Sequence, residues 1–203
     1  LPERYGHEGG EVDLDTYFAM GRGRQVGDVD VTAMEMTKWF DTNYHYLVPE
    51  IGPGTNFSLS ASKPFDEHAE AMEELGIDTV PVLVGPVSFL LLSKPADGVE
   101  EDFDPLTLIE ALVEVYGEVL ERLAEQGATW VQFDEPCFAE DRSEHELDAL
   151  RLAYEELGKV HERPRIVVKT YFDHVGEAYG VLRDLPVEGI GLDLHRGKHN
   201  VEL

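Results

Sequence analysis

The stretch "DPLTLIEALVEVYGEVLERLAEQGATWVQFDEP", Asp104 to Pro136, holds the two periodicities on which the fold turns. In its first part Leu108, Ile109, Leu112, Val113, Tyr116, Val119, Leu120 and Leu123 recur at steps of three and four, which predicts an amphipathic helix. Asp104 stands at the cap position, Pro105 suits a first turn, and Gly127 suits the stop. "TWVQFDEP" then reads as a strand halted by Pro136.

The same alternation extends in both directions. Upstream, "NFSLS" (Asn56 to Ser60) reads as a strand and "PFDEHAEAMEELG" as a helix closed by Gly76. "VPVLVGP" is a nearly continuous β-branched run, the pattern of a strand buried on both faces. Downstream, Ser143 and Glu146 form a capping box for "SEHELDALRLAYEELGKV". The strand "RIVVKTYF", the shorter helix "VGEAYGVLRDL" and the strand "EGIGLDL" follow.

Five strands alternating with helices predict an α/β fold with a parallel sheet, either open and doubly wound or a (β/α)8 barrel. "GRGRQVG" has the glycine spacing of a dinucleotide loop but lies upstream of the first predicted strand, so the doubly wound alternative gains little from it. An eight-stranded barrel takes about 250 residues. About five βα units in 203 residues, with the last helix unfinished at "VEL", therefore predict an incomplete TIM-type barrel. Residues 1–50 form a leading segment, residues 51–203 run as consecutive βα units, and the whole of 1–203 is expected to be part of one barrel domain.

Charge narrows the partners. With 42 Asp and Glu against 16 Lys and Arg, the net charge is -26, which argues against nucleic acid, since phosphate binding needs a basic face. The run "VPVLVGPVSFLLL" is too short to span a bilayer, and "LPERYGHEGG" lacks the features of a signal peptide. A soluble, cytoplasmic protein is expected. Cys137, the one cysteine, can form no disulfide within the chain and reads as a small buried residue.

Candidate site residues gather just past the strands: Ser60 and Ser62, Gly85 and Pro86, Asp134 and Glu135, Thr170 and Tyr171, Asp193 and His195. Asp134 and Glu135 are adjacent on a strand and point to opposite sides, so they make a poor acid/base pair. In "DLHRGKHN", Asp193, His195 and His199 match no strong zinc spacing, and Arg196 and Lys198 make the segment a local positive island. A second island comprises Arg22, Arg24 and Lys38, close to Trp39, Phe40, Tyr44 and Tyr46. Two readings of Lys38 stay open here. It neutralises acidic neighbours, or it captures a carboxylate or phosphate through charge-assisted hydrogen bonds.

The segments "EMTKWFDTNYHYLVPE", "PVLVGPVSFLLLSK", "WVQFDEP", "TYF" and "LDLHRGKH" together resemble the amino-terminal half of the cobalamin-independent methionine synthase family, from about Val12 onward. The resemblance implies a two-barrel enzyme several times longer than this chain. It moves a methyl group from 5-methyltetrahydropteroyl-polyglutamate to homocysteine. A zinc ion held by the family's carboxy-terminal barrel activates the homocysteine thiolate, and no residue of this chain is expected to be catalytic or to ligate metal. The amino-terminal barrel is a silent scaffold that helps hold the folate's glutamate tail. The match at "EMTKWF" places a tail-binding lysine at Lys38, while the family's other tail-binding Arg and Lys precede the first residue here. The implied partners are methylfolate polyglutamate, homocysteine and the protein's own second barrel, in a monomeric parent. A separate barrel enzyme of the same superfamily, either a zinc methyltransferase or uroporphyrinogen-decarboxylase-like, and a non-catalytic binding module are the competing readings.

Overall fold

A computed structural model describes residues 1–26 and 29–203. In chain order the first elements are α1 (Leu14–Arg22), β1 (Arg24–Val26), β2 (Val29–Val31), β3 (Met36–Lys38), β4 (His45–Leu47), β5 (Glu50–Ile51) and α2 (Lys63–Glu70). They are followed by β6 (Val82–Val84), α3 (Pro86–Leu91), β7 (Lys94–Pro95), α4 (Ile109–Glu125) and β8 (Trp130–Asp134). The last are α5 (Glu144–Gly158), β9 (Arg165–Lys169), α6 (Ala178–Asp184) and β10 (Gly189–Gly191). The chain divides into two compact units, one of residues 1–61 and 92–105, the other of 62–91 and 106–203.

The first unit contains the leading segment. Helix α1 starts where the Asp13 carboxylate accepts the Thr16 backbone N–H at 2.8 Å and the Thr16 hydroxyl at 3.1 Å, an N-cap that sequence reading passed over. Two antiparallel hairpins follow, β1 with β2 and β3 with β4, and β5 pairs in parallel with β7. The glycine-spaced "GRGRQVG" therefore runs from helix into strand, the reverse of a dinucleotide loop, with its last glycine outside the described residues. Arg4 ties the unit together, donating to both oxygens of Glu50 at 2.6 and 2.8 Å and to the carbonyl of Thr32 at 3.2 Å.

The second unit is a four-stranded parallel sheet in the order β6, β8, β9, β10, which is chain order with no reversal. The two central strands, β8 and β9, each show one buried and one open face. Val131 and Phe133, then Ile166 and Val168, are buried, whereas Gln132, Asp134, Val167 and Lys169 are not. The long helix α4 packs beside α3 and α5, and its Leu120 and Leu123 are fully buried. Each such side chain contributes about 2 kcal/mol by leaving water. Tyr116 and Tyr154 bracket Phe133 edge to face, with ring centroids 5.4 and 6.3 Å away.

Four expectations are corrected. Asn56–Ser60 forms no strand; its residues alternate between half-buried and exposed as a strand's would, but the segment joins no β-ladder among the described residues. The strand in "VPVLVGP" is not buried on both faces, because β6 pairs with β8 alone among the described residues and Val82 is exposed. Helix α4 begins at Ile109, after a tighter turn over Pro105–Leu108. The helix predicted up to Gly76 loosens into a π-helical turn over Ala71–Leu75, and Gly76 ends it in the left-handed region at φ 65°. The capping box is present as read, with the Ser143 hydroxyl accepting the Glu146 N–H and the Glu146 carboxylate accepting the Ser143 N–H.

Candidate functional site

Lys38 ends β3 and lies directly across from His45 on β4. Its side chain is exposed, and it makes no ion pair or side-chain hydrogen bond among the described residues. The hairpin that carries it is held by backbone, side-chain and ring contacts. Trp39 N–H donates to the Tyr44 carbonyl at 2.8 Å, and the Thr42 hydroxyl donates to the Trp39 carbonyl at 2.6 Å. Phe40 takes a positive φ of 51° at the turn. Trp39 packs edge-on against Phe40 at 5.3 Å and Tyr46 at 5.5 Å.

Strand alternation decides what surrounds the amine. Thr37, Trp39 and Tyr46 share one face of the hairpin, and Lys38, Met36 and His45 share the other. Of the rings expected to wall Lys38, Trp39 and Tyr46 thus lie behind it, packed on each other. The other members of that island are occupied differently: Arg22 stacks on the Phe18 ring at 5.2 Å, and Arg24 lies in β1 opposite Val31.

In the second unit, the C-terminal strand ends do bring polar residues together. Asp134 accepts from Gln132 Nε2 at 2.7 Å and from the Tyr171 hydroxyl at 3.0 Å. Asp193 accepts backbone N–H groups from Phe172, His195 and Arg196 at 3.0, 2.8 and 2.9 Å. Those donors, Arg196 first, hold its carboxyl below the usual range, so it stays ionised and organises the loop. His195 and His199 are exposed, and among the described residues no three His, Cys, Asp or Glu side chains are placed to hold a metal ion. Thr170 is buried, and its hydroxyl has no partner among the described residues.

Glu135 diverges from Asp134, as alternation requires. It is fully buried, and its carboxylate accepts N–H groups of Val87 and Ser88 in the first turn of α3 and the Tyr154 hydroxyl. Burial pushes its carboxyl up to about 7, against the opposing pull of these hydrogen bonds. Next to it the Cys137 thiol is buried and pushed up to about 12 by desolvation, which leaves it unreactive. Gly85 and Pro86 shape this cap, with Gly85 lying against the Glu135 carboxylate. Ser60 sits in the first unit outside any helix or strand, and the Ser62 hydroxyl donates to Asp66 at the start of α2.

The molecule is thus of the parallel α/β class, with a polar face at the strand ends and a cation-bearing hairpin ahead of the sheet. Its sequence matches the model of the family described as cobalamin-independent synthase, N-terminal domain, over residues 1–203, eleven residues further towards the start than the resemblance from about Val12. A 5-methyltetrahydropteroyltriglutamate–homocysteine methyltransferase of Streptomyces coelicolor is 53% identical over 95% of this chain and 24% of its own length. One from Catharanthus roseus is 51% identical over 100% of this chain and 26% of its own. The chain belongs to the cobalamin-independent methionine synthase family and matches its amino-terminal domain. It spans about a quarter of the length of the curated relatives it matches. No helix among the described residues is long and apolar enough to cross a membrane.

Proposed function

We propose that this chain serves a methyltransferase that moves the methyl group of 5-methyltetrahydropteroyl-polyglutamate to homocysteine, and that its part is to hold the glutamate tail through Lys38. The observation that carries this reading is the exposed Lys38 amine, without an ion pair among the described residues, on a hairpin fixed by Trp39, Thr42 and Tyr46 in a chain of net charge -26. Carboxylates approaching such a chain meet repulsion over most of its surface, and an uncommitted ammonium attracts them locally.

The rest of the reading follows. Strands ordered as in the chain, with β6 and β10 each holding one partner among the described residues, support a (β/α)8 barrel of which residues 1–203 are part, with 1–50 leading and 51–203 supplying successive βα units. Zinc, which lowers the pKa of a bound thiol, belongs in this reading to a carboxy-terminal barrel outside this sequence. A cytoplasmic, monomeric parent completes the proposal.

Lys38→Ala in the full-length enzyme tests it. The KM for the triglutamate form of the methyl donor should rise about tenfold while that for the monoglutamate is unchanged, since a charge-assisted hydrogen bond is worth about 1.5–3 kcal/mol. An equal effect on both donors would refute the assignment.

A further inference from the structure

We propose that the cleft at the C-terminal ends of β9 and β10 is a second, independent binding site, which takes a small carboxylate anion on Lys169. The cleft has a volume of about 570 Å³ and is lined by Lys169, Tyr171, Asp193 and His195 among others. Its shape follows from the ladder. Val167 and Lys169 on the open face of β9 pair with Gly189 and Gly191, so β10 brings no side chains to that face and leaves a trough. A Cβ on Gly191 would stand 3.1 Å from Lys169 Cγ, which means that the aliphatic stem of Lys169 crosses the bare backbone of Gly191.

The charges around the trough are unequally satisfied. Lys169 is exposed and makes no ion pair or side-chain hydrogen bond among the described residues. Asp134, its cross-strand neighbour on β8, is held by Gln132 and Tyr171. The ionised Asp193 carboxylate is engaged by three backbone N–H groups. The cation is left as the uncommitted charge, beside an exposed imidazole and followed in sequence by Arg196 and Lys198.

The donor set also selects among anions. Phosphate sites are commonly built from several converging backbone N–H groups. Here the N–H groups of Phe172, His195 and Arg196 are already spent on Asp193. One ammonium and one imidazole suit a carboxylate, which needs two donors and carries one charge.

The test is an amide NMR titration of the 203-residue chain at pH 7 and constant ionic strength, with acetate and inorganic phosphate in separate series. Acetate is expected to shift Gly189, Gly191 and Tyr171 with millimolar affinity. Lys169→Met should weaken this at least tenfold, and Gly191→Ala, which crowds the lysine stem, should weaken it too. Lys38→Ala, in the other compact unit, should leave it unchanged, so this proposal and the tail-binding one fail separately. Acetate affinity unaltered by Lys169→Met, or phosphate binding more tightly than acetate at the same amides, would overturn the site.

Discussion

Gly85 lies so close to Glu135 that a Cβ placed on it would fall 2.2 Å from the carboxylate oxygen. The closeness has a function in the fold. It lets the chain after β6 turn directly into α3, with Val87 and Ser88 aiming their N–H groups at the carboxylate. A side chain far away in sequence thereby satisfies two of the N–H groups that every helix start leaves open.

Replacing Gly85 by alanine should therefore cost stability near the upper end of the roughly 1–3 kcal/mol typical of overpacking. A double-mutant cycle with Glu135→Ala, read by urea unfolding, should show a coupling of about 1 kcal/mol or more, because removing the carboxylate removes the clash. Additive effects would mean that the two residues do not meet.

Glu135 also sets a pH dependence. Its carboxyl is raised from 4.5 to about 7 by burial, so the folded state binds more protons than the unfolded one between these values. The contribution of this group is complete below pH 4.5 and is lost as pH rises towards 7. At about 1.4 kcal/mol per unit, the fall is on the order of 3 kcal/mol. The stability difference between the parent and Glu135→Gln should shift by that amount between pH 4.5 and 7.5, and a constant difference would contradict it.

Cys137 should resist alkylation in the native protein, since its thiol is buried and pushed up to about 12. Iodoacetamide labelling followed by mass spectrometry is expected to track unfolding with denaturant. Rapid labelling without denaturant would show that the segment after β8 opens locally.

Removing the guanidinium in Arg4→Ala leaves Glu50 with Lys94, 3.9 Å away, as its remaining ion-pair partner among the described residues. The carboxyl of Glu50 now sits below its usual range, chiefly through the hydrogen bonds from Arg4. A loss of about 2 kcal/mol is expected near pH 7, shrinking as pH drops through the Glu50 titration. Urea midpoints at pH 7 and pH 3.5 would check both parts, and a loss that does not change with pH would assign the effect to packing.

The sequence by itself determined what depends on neighbours along the chain. Periods of 3.6 and 2 marked α4, α5 and the four strands of the sheet, Ser143 and Glu146 marked a cap, and the motifs around Lys38 and "LDLHRGKH" marked the family. Helix α1 went unread despite its Asp13 cap, because its pattern is short and its apolar residues Leu14, Tyr17 and Phe18 stay exposed. Tertiary structure alone decided which groups are used up. That Glu135 caps α3, that backbone N–H groups absorb Asp193, and that Trp39 and Tyr46 lie behind Lys38 all depend on register and on partners distant in the chain. The physical reason is that periodicity shows which side of an element faces inward, while hydrogen bonding and burial depend on what the folded chain brings opposite, and Asn56–Ser60 has the alternation of a strand but joins no ladder among the described residues.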